Sequence, residues 1–238
     1  MNGGKINKSI VAMECRVCGA SEFEYRPVLW PGLISEWQLS SHEVEYINWQ
    51  QGCFCVGCGN NLRSIALADA ICRSLGFSGP LSQIKNCTKF RELRVLEINP
   101  AGGLTKFLEG FQGHRLVNYP EYDMCDLALD SQAFDLVVHS DTLEHVPNPQ
   151  RGLSECRRIL RDGGACIYTV PIVVDRLTRS RAGLSPSFHG RAEVVSGDQL
   201  VHTEFGADFW KSVIQAGFKQ CILHVFDYPA AMAVIARG

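Results

Sequence analysis

Four cysteines set the first chemical question. Cys15-x-x-Cys18 and Cys55-x-x-Cys58 each place two thiols two residues apart, with Gly19 and Gly59 directly behind them. That spacing lets two sulfurs reach one tetrahedral ion, and a glycine supplies the sharp backbone turn the arrangement needs. The pairs are therefore expected to hold one structural zinc between them. A redox dithiol would sit once between a strand and a helix, not twice with a trailing glycine. Cys53 is a spare that competes as a ligand, and His42 is a weaker competitor. The other six of the eleven cysteines lie singly in apolar stretches and read as small packing residues. An odd count in a chain of 238 residues excludes a disulfide framework and points to a reducing, cytoplasmic setting.

Charge and composition narrow the class further. The chain is 46% hydrophobic and carries a net charge of -2, enough apolar content for a real core and no basic excess. Residues 1–90 hold 8 Lys+Arg against 7 Asp+Glu, so the cysteine-bearing part is not a polycation and nucleic acid is not its expected partner. No apolar run has the length of a membrane span.

The elements that must position these residues come in two textures. Residues 13–63 are short and turn-rich, with Trp30, Trp37, Tyr46 and Trp49 available as a small core. Residues 62–75 repeat apolar positions at a helical period, and a linker helix and loop are expected over 64–90. From residue 91 strands alternate with helices: LRVLEI, LTKFLEG, HRLVNY, FDLVVHS, RGLSECRRIL, DGGACIYTV, then GADFWKSVIQAG and a closing hairpin, FKQCILHVF and AAMAVIA. That alternation predicts an α/β fold with a doubly wound, mostly parallel sheet. The polar stretch 174–204 interrupts it as a cap.

One turn stands out. Leu96-Glu97-Ile98-Asn99-Pro100-Ala101-Gly102-Gly103 is a strand ending in an acid, then a small-residue loop, then a helix, an arrangement that lets a nucleotide lie across the strand end. Together with Asp126-Leu127, Phe134–Pro149 (containing LEHVPNP) and Arg158-Ile-Leu-Arg-Asp-Gly-Gly164, it resembles class I S-adenosylmethionine-dependent methyltransferases, of the type-11 group. The resemblance covers residues 91–238 and implies a seven-stranded Rossmann-like sheet. It implies that Glu97, Asn99, Ala101, Gly102 and Gly103 form the cofactor loop and that Tyr119 or Glu121 stands in for the usual ribose acid. Asp126 and Leu127 would flank adenine, and His139, Ser140 and Asp141 would open under the methyl group. Asn99 and Ala101 replace two glycines of the family pattern.

The resemblance also places His145 near the site and makes His189, in Phe188-His189-Gly190, the expected general base, with His202 second. Four arginines and no acid between Arg176 and Arg191 suggest an anionic or polyhydroxylated acceptor. The expected activity is O-methylation of a small molecule or glycan. Two alternatives stand beside it: an RNA or protein methyltransferase that grips its substrate with the zinc module, and a methyltransferase-fold scaffold without turnover.

Overall fold

The expected strands assemble into one twisted sheet. In the computed structural model, which describes residues 13–188 and 199–238, the N-terminal part contains β1 (Phe23–Tyr25), α1 (Pro31–Glu36), α2 (Ser41–Gly52) and β2 (Cys53–Cys55). Next come α3 (Leu62–Ser74) and the short α4 (Thr88–Arg91). The main sheet and its flanks follow as β3 (Arg94–Ile98), α5 (Thr105–Leu108), β4 (Gly113–Val117), β5 (Phe134–Ser140), α6 (Pro149–Ile159) and β6 (Leu160–Thr169). The cap is built on β7 (Ile172–Val173), β8 (Arg179–Ser180) and β9 (Thr203–Gly206); α7 (Trp210–Gln215), β10 (Gln220–Asp227) and β11 (Ala231–Arg237) close the chain.

The sheet order is β10-β11-β6-β5-β3-β4. β4–β3, β3–β5 and β5–β6 pair in parallel, and the terminal hairpin adds antiparallel pairings at one edge. Among the described residues the sheet has six strands where seven were expected. The missing strand belongs beyond β4, where residues 118–133 run through turns straight into β5. A parallel neighbour needs a crossover of about a dozen residues or more before its own strand, and this link is too short to hold both.

The segment expected as a linker has a larger job. α3 is apolar nearly all round, with Ile65 through Cys72 buried, and it packs on one face of the sheet. Its core cluster joins Cys15, Val17, Cys53 and Cys55 of the cysteine module to Val95, Leu136, Val138, Ala165 and Ile235 of the strands. A second cluster covers the opposite face under α6 and α7. Polar pins complete the join. Asp69 on α3 takes Arg16 (2.7 Å), Arg73 (3.1 Å) and His224 of β10 (2.8 Å), and Trp49 donates to Asp227 (2.7 Å).

The interval between the cysteine pairs is helical rather than ribbon-like. Pro31 starts α1, and α2 begins with a complete capping box in which Ser40 and Glu43 satisfy each other's backbone donors. β1 and β2 pair antiparallel beside the knuckles, Phe23 opposite Cys55 and Tyr25 opposite Cys53.

Candidate active site and metal centre

The cysteine pairs converge. Cys15 Sγ lies 3.6 Å from Cys58 Sγ, Cys18 Sγ lies 3.6 Å from Cys55 Sγ, and all four sulfurs fall within 4.8 Å of one another. Four sulfurs about 2.3 Å from a central zinc stand about 3.8 Å apart, so the cluster has the dimension of a closed tetrahedral site. Both knuckles use the same backbone device. Gly19 N donates to Cys15 O (2.7 Å) and Gly59 N to Cys55 O (2.8 Å), with both glycines at positive φ (87° and 74°). Asn60 Nδ2 reaches Cys58 Sγ at 3.5 Å, an outer contact of the kind that orients a ligand. Cys53 stands outside the cluster, its thiol pushed up to about 11 by burial, and His42 packs edge-on against Tyr46 instead.

The turn after β3 is set by Glu97, whose carboxylate is wholly buried. It accepts from Ala101 N (2.7 Å), Thr105 Oγ1 (2.8 Å) and His114 Nε2 (2.8 Å), so it shapes the loop from beneath. Asn99 takes φ 54° without needing glycine, and its Oδ1 accepts from Tyr119 N (3.0 Å), tying the ends of β3 and β4 together. Ala101 points into the core and is fully buried, so its methyl group does not narrow the cleft. Gly102 and Gly103 face the other way from the expected ligand. A Cβ on Gly102 would meet Ser64 Oγ at 2.7 Å, and one on Gly103 would meet Asn60 Oδ1 at 2.6 Å. The glycines let the N-terminus of α3 and the second knuckle press against the loop.

A cavity of about 840 Å³ opens at the carboxyl ends of β3 and β5, where ligands bind in open α/β sheets. Asn99, Tyr119, Ser140 and Asp141 line it as expected. Ala101, Gly102, Gly103, Glu121, Asp126, Leu127 and His139 do not; of these, His139 is buried against Tyr168, their rings 4.6 Å apart. Leu127 is pinned to α6, its N–H donating to Glu155 (3.1 Å) and its carbonyl accepting from Arg158 (2.8 Å). Within this loop the acid that lines the cavity is Asp123, three residues before Asp126, beside Tyr122 and Met124.

The cavity has a polar floor. Arg63, the second residue of α3, pairs with Asp141, whose other oxygen accepts from Thr169 Oγ1 (3.2 Å). Glu144 lies next to this pair, only 2% exposed, and its Oε2 has no hydrogen-bond partner. Burial and the neighbouring Asp141 push its carboxyl well above the ordinary range. His145 bonds Leu200 O through Nδ1 (3.1 Å), with Nε2 3.7 Å from Glu144; it and His202 both line the cavity. His189 lies outside the described residues.

The opposite wall comes from the cysteine module. Val28, Leu29, Trp30, Leu33, Trp37, Leu39 and Ile47 face the strand ends across the cavity. Nothing in the local sequence marks them as lining residues, although Pro31 and Ser40-x-x-Glu43 do mark the helices that carry them.

Three arginines of the cap are spent on internal pairs. Arg176 binds both oxygens of Glu43 (2.6 and 2.8 Å) and the carbonyls of Trp37 and Gln38 (both 2.9 Å). Arg179 and Arg181 share Glu204, and the Arg181 guanidinium also lies over the Trp37 ring at 5.5 Å. None of these three lines the cavity, and Arg191 lies outside the described residues.

Known proteins are similar to part of the chain. Residues 54–168 match the Methyltransf_11 family model, described as a methyltransferase domain. Over this stretch, just under half of its length, the chain is similar to that methyltransferase domain. The chain is 30% identical over 117 residues to a ubiquinone biosynthesis O-methyltransferase of Coxiella burnetii, a match spanning 48% of this chain and 41% of the relative. It is 42% identical over 50 residues to a sarcosine/dimethylglycine N-methyltransferase of Halorhodospira halochloris, covering 21% and 18%. The chain thus spans under half the length of these curated relatives. Among solved structures it is similar to the CMeT domain of the citrinin polyketide synthase, with a TM-score of 0.48, 13% identity, and 87% and 59% of the two chains covered.

Proposed function

We propose that the chain transfers a methyl group from S-adenosylmethionine to a small acceptor, with oxygen as the preferred attacking atom. The observation that carries this reading is the cavity itself, which joins the carboxyl ends of the central strands to a separate wall built by residues 28–47. The donor set on the strand side suits the cofactor. Asp123 supplies a carboxylate for the exocyclic amine of adenine, the role that the family resemblance implies for Asp126. Tyr119 and Asn99, tied at the strand ends, face the ribose, and Ser140 and Asp141 lie toward the methionine end. The bound cofactor supplies an electrophilic methyl carbon on a sulfonium. The protein's part is to align the acceptor with that carbon and exclude water, which the apolar wall does. The O-methyltransferase among the relatives supports oxygen as the attacking atom.

The cysteine cluster is read as a structural zinc site. Its four thiolates close the coordination sphere, leave no open position for chemistry, and fix the second knuckle against the cofactor loop. Metal analysis of the purified protein is expected to give one zinc per chain, lost in Cys18→Ser.

Calorimetric titration with S-adenosylmethionine tests the main reading. Binding is expected, and Asp123→Asn should weaken it about tenfold, while Asp126→Asn should leave it unchanged. Absence of binding by the wild-type protein would favour a scaffold without turnover.

A further inference from the structure

The reading above assigns the cofactor half of the cavity and leaves the acceptor half without a chemical partner. Glu144 is the group that stands out there. It is a carboxyl on the cavity wall, 2% exposed, with one oxygen bonded to nothing. A buried polar atom left unpaired is destabilising, so a fold that keeps one in a cavity-lining residue holds it for something that enters the cavity.

The surroundings explain why Glu144 and not Asp141 is free. Arg63, reaching over from α3, neutralises Asp141, and Thr169 takes its second oxygen. From the same turn His145 approaches Glu144 Oε1 at 3.7 Å while anchored to Leu200 O. From the packed cap strand, His202 donates its backbone N–H to Glu144 O (2.8 Å), and Glu204 is held by Arg179 and Arg181. The turn is braced on every side, and of its acceptor oxygens Glu144 Oε2 is left without a partner, as is Arg63 Nε beside it. Across the cavity stand Trp30, Leu33, Trp37 and Ile47, a wall suited to a flat apolar body.

We propose that Glu144 is the catalytic base, and that the acceptor is an aromatic or similarly flat apolar molecule bearing a hydroxyl group. This rests on the methyltransferase reading. In the step, the acceptor O–H gives its proton to Glu144 Oε2. An oxygen lone pair forms the new C–O bond to the methyl carbon, and the C–S electron pair returns to sulfur, leaving neutral S-adenosylhomocysteine and a protonated Glu144. Burial makes the carboxylate a stronger base than an exposed one, at the cost of needing higher pH to ionise.

The test uses the full chain with tritiated S-adenosylmethionine and a panel of substituted phenols, beside calorimetry with S-adenosylhomocysteine. Wild type is expected to methylate at least one phenol, with a rate that rises with pH along a limb lying well above the ordinary carboxylate range. Glu144→Gln should lower kcat at least 100-fold, remove that limb and leave S-adenosylhomocysteine affinity unchanged, which also shows that the variant is folded. A variant that keeps kcat, or keeps the limb, would overturn the role of Glu144; loss of the limb in His145→Gln and not in Glu144→Gln would transfer it to His145. Methylation of no phenol by a protein that binds S-adenosylhomocysteine would overturn the acceptor class. Failure to bind it at all would remove the methyltransferase reading underneath.

Discussion

At the scale of the residue, Glu144 and His139, both buried near the carboxyl end of β5, have opposite characters. Glu144 opens onto the cavity, whereas His139 is sealed in the core with neither ring nitrogen bonded. Burial drives the His139 pKa down to about 3, so the ring is neutral at all ordinary pH. An unfolded chain protonates the same histidine near its usual value of about 6.5. Below that pH the unfolded state binds a proton that the native state refuses, and stability must fall as pH drops from about 6.5 toward 3. His139→Phe keeps the stack on Tyr168 and removes both orphaned nitrogens. It is expected to stabilise the protein by about 1–2 kcal/mol at neutral pH, with the gap widening in acid, as read by thermal melts from pH 4 to 8. A gap independent of pH would show that the ring is not the titrating group. The sequence makes His139 look like a cofactor residue because it precedes Ser140 and Asp141. Alternation along the strand instead turns it to the covered face.

Elements decide the next set of questions, because the loop after β3 is held from outside. Gly102 and Gly103 receive Ser64 and Asn60, and Asn60 in turn touches Cys58. The cysteine cluster, the start of α3 and the loop after β3 therefore form one stack. Removing zinc with a strong chelator, or by Cys18→Ser, is expected to weaken S-adenosylmethionine binding at least tenfold although no cysteine lines the cavity. Gly103→Ala should do the same with zinc retained, since the added methyl group collides with Asn60. Calorimetry on zinc-loaded protein separates the two, and unchanged affinity in both would uncouple the module from the loop. The strands and long helices behind this stack were legible because their apolar periods are clean. The acid of the 118–133 loop that lines the cavity was not. Asp123 and Asp126 sit three apart in a loop with no repeating period, so spacing alone cannot choose between them. The choice is made by Glu155 and Arg158 of α6, which hold Leu127 away from the cavity.

For the whole molecule, the decisive feature is that the cysteine module and the cap close on each other over the strand ends. Sequence shows a basic run between Arg176 and Arg191 and offers no sign of its partners, because Glu43 lies 133 positions earlier in the chain. The Arg176–Glu43 pair is the clamp. It is bidentate, the Glu43 side chain is 5% exposed, and the guanidinium also ties down the carbonyls that end α1. The Arg176 guanidinium holds the Glu43 carboxyl down at about 2, against about 4.3 in the unfolded chain. Its contribution is therefore complete above about pH 4.3 and fades as pH falls through about 2. Arg176→Met leaves Glu43 buried without its counter-charge and should cost about 3 kcal/mol near neutral pH, less as the solution becomes acid. Glu43→Gln should cost less, since Arg176 keeps its two carbonyls. Both variants should loosen the apolar wall from the cap while leaving Asn99, Asp123 and Asp141 in place. The expected signature is a raised KM for the acceptor with S-adenosylmethionine affinity intact, read by steady-state kinetics beside calorimetry. Equal loss of both affinities would mean that the clamp holds the whole fold together and does not chiefly shape the acceptor half of the cavity.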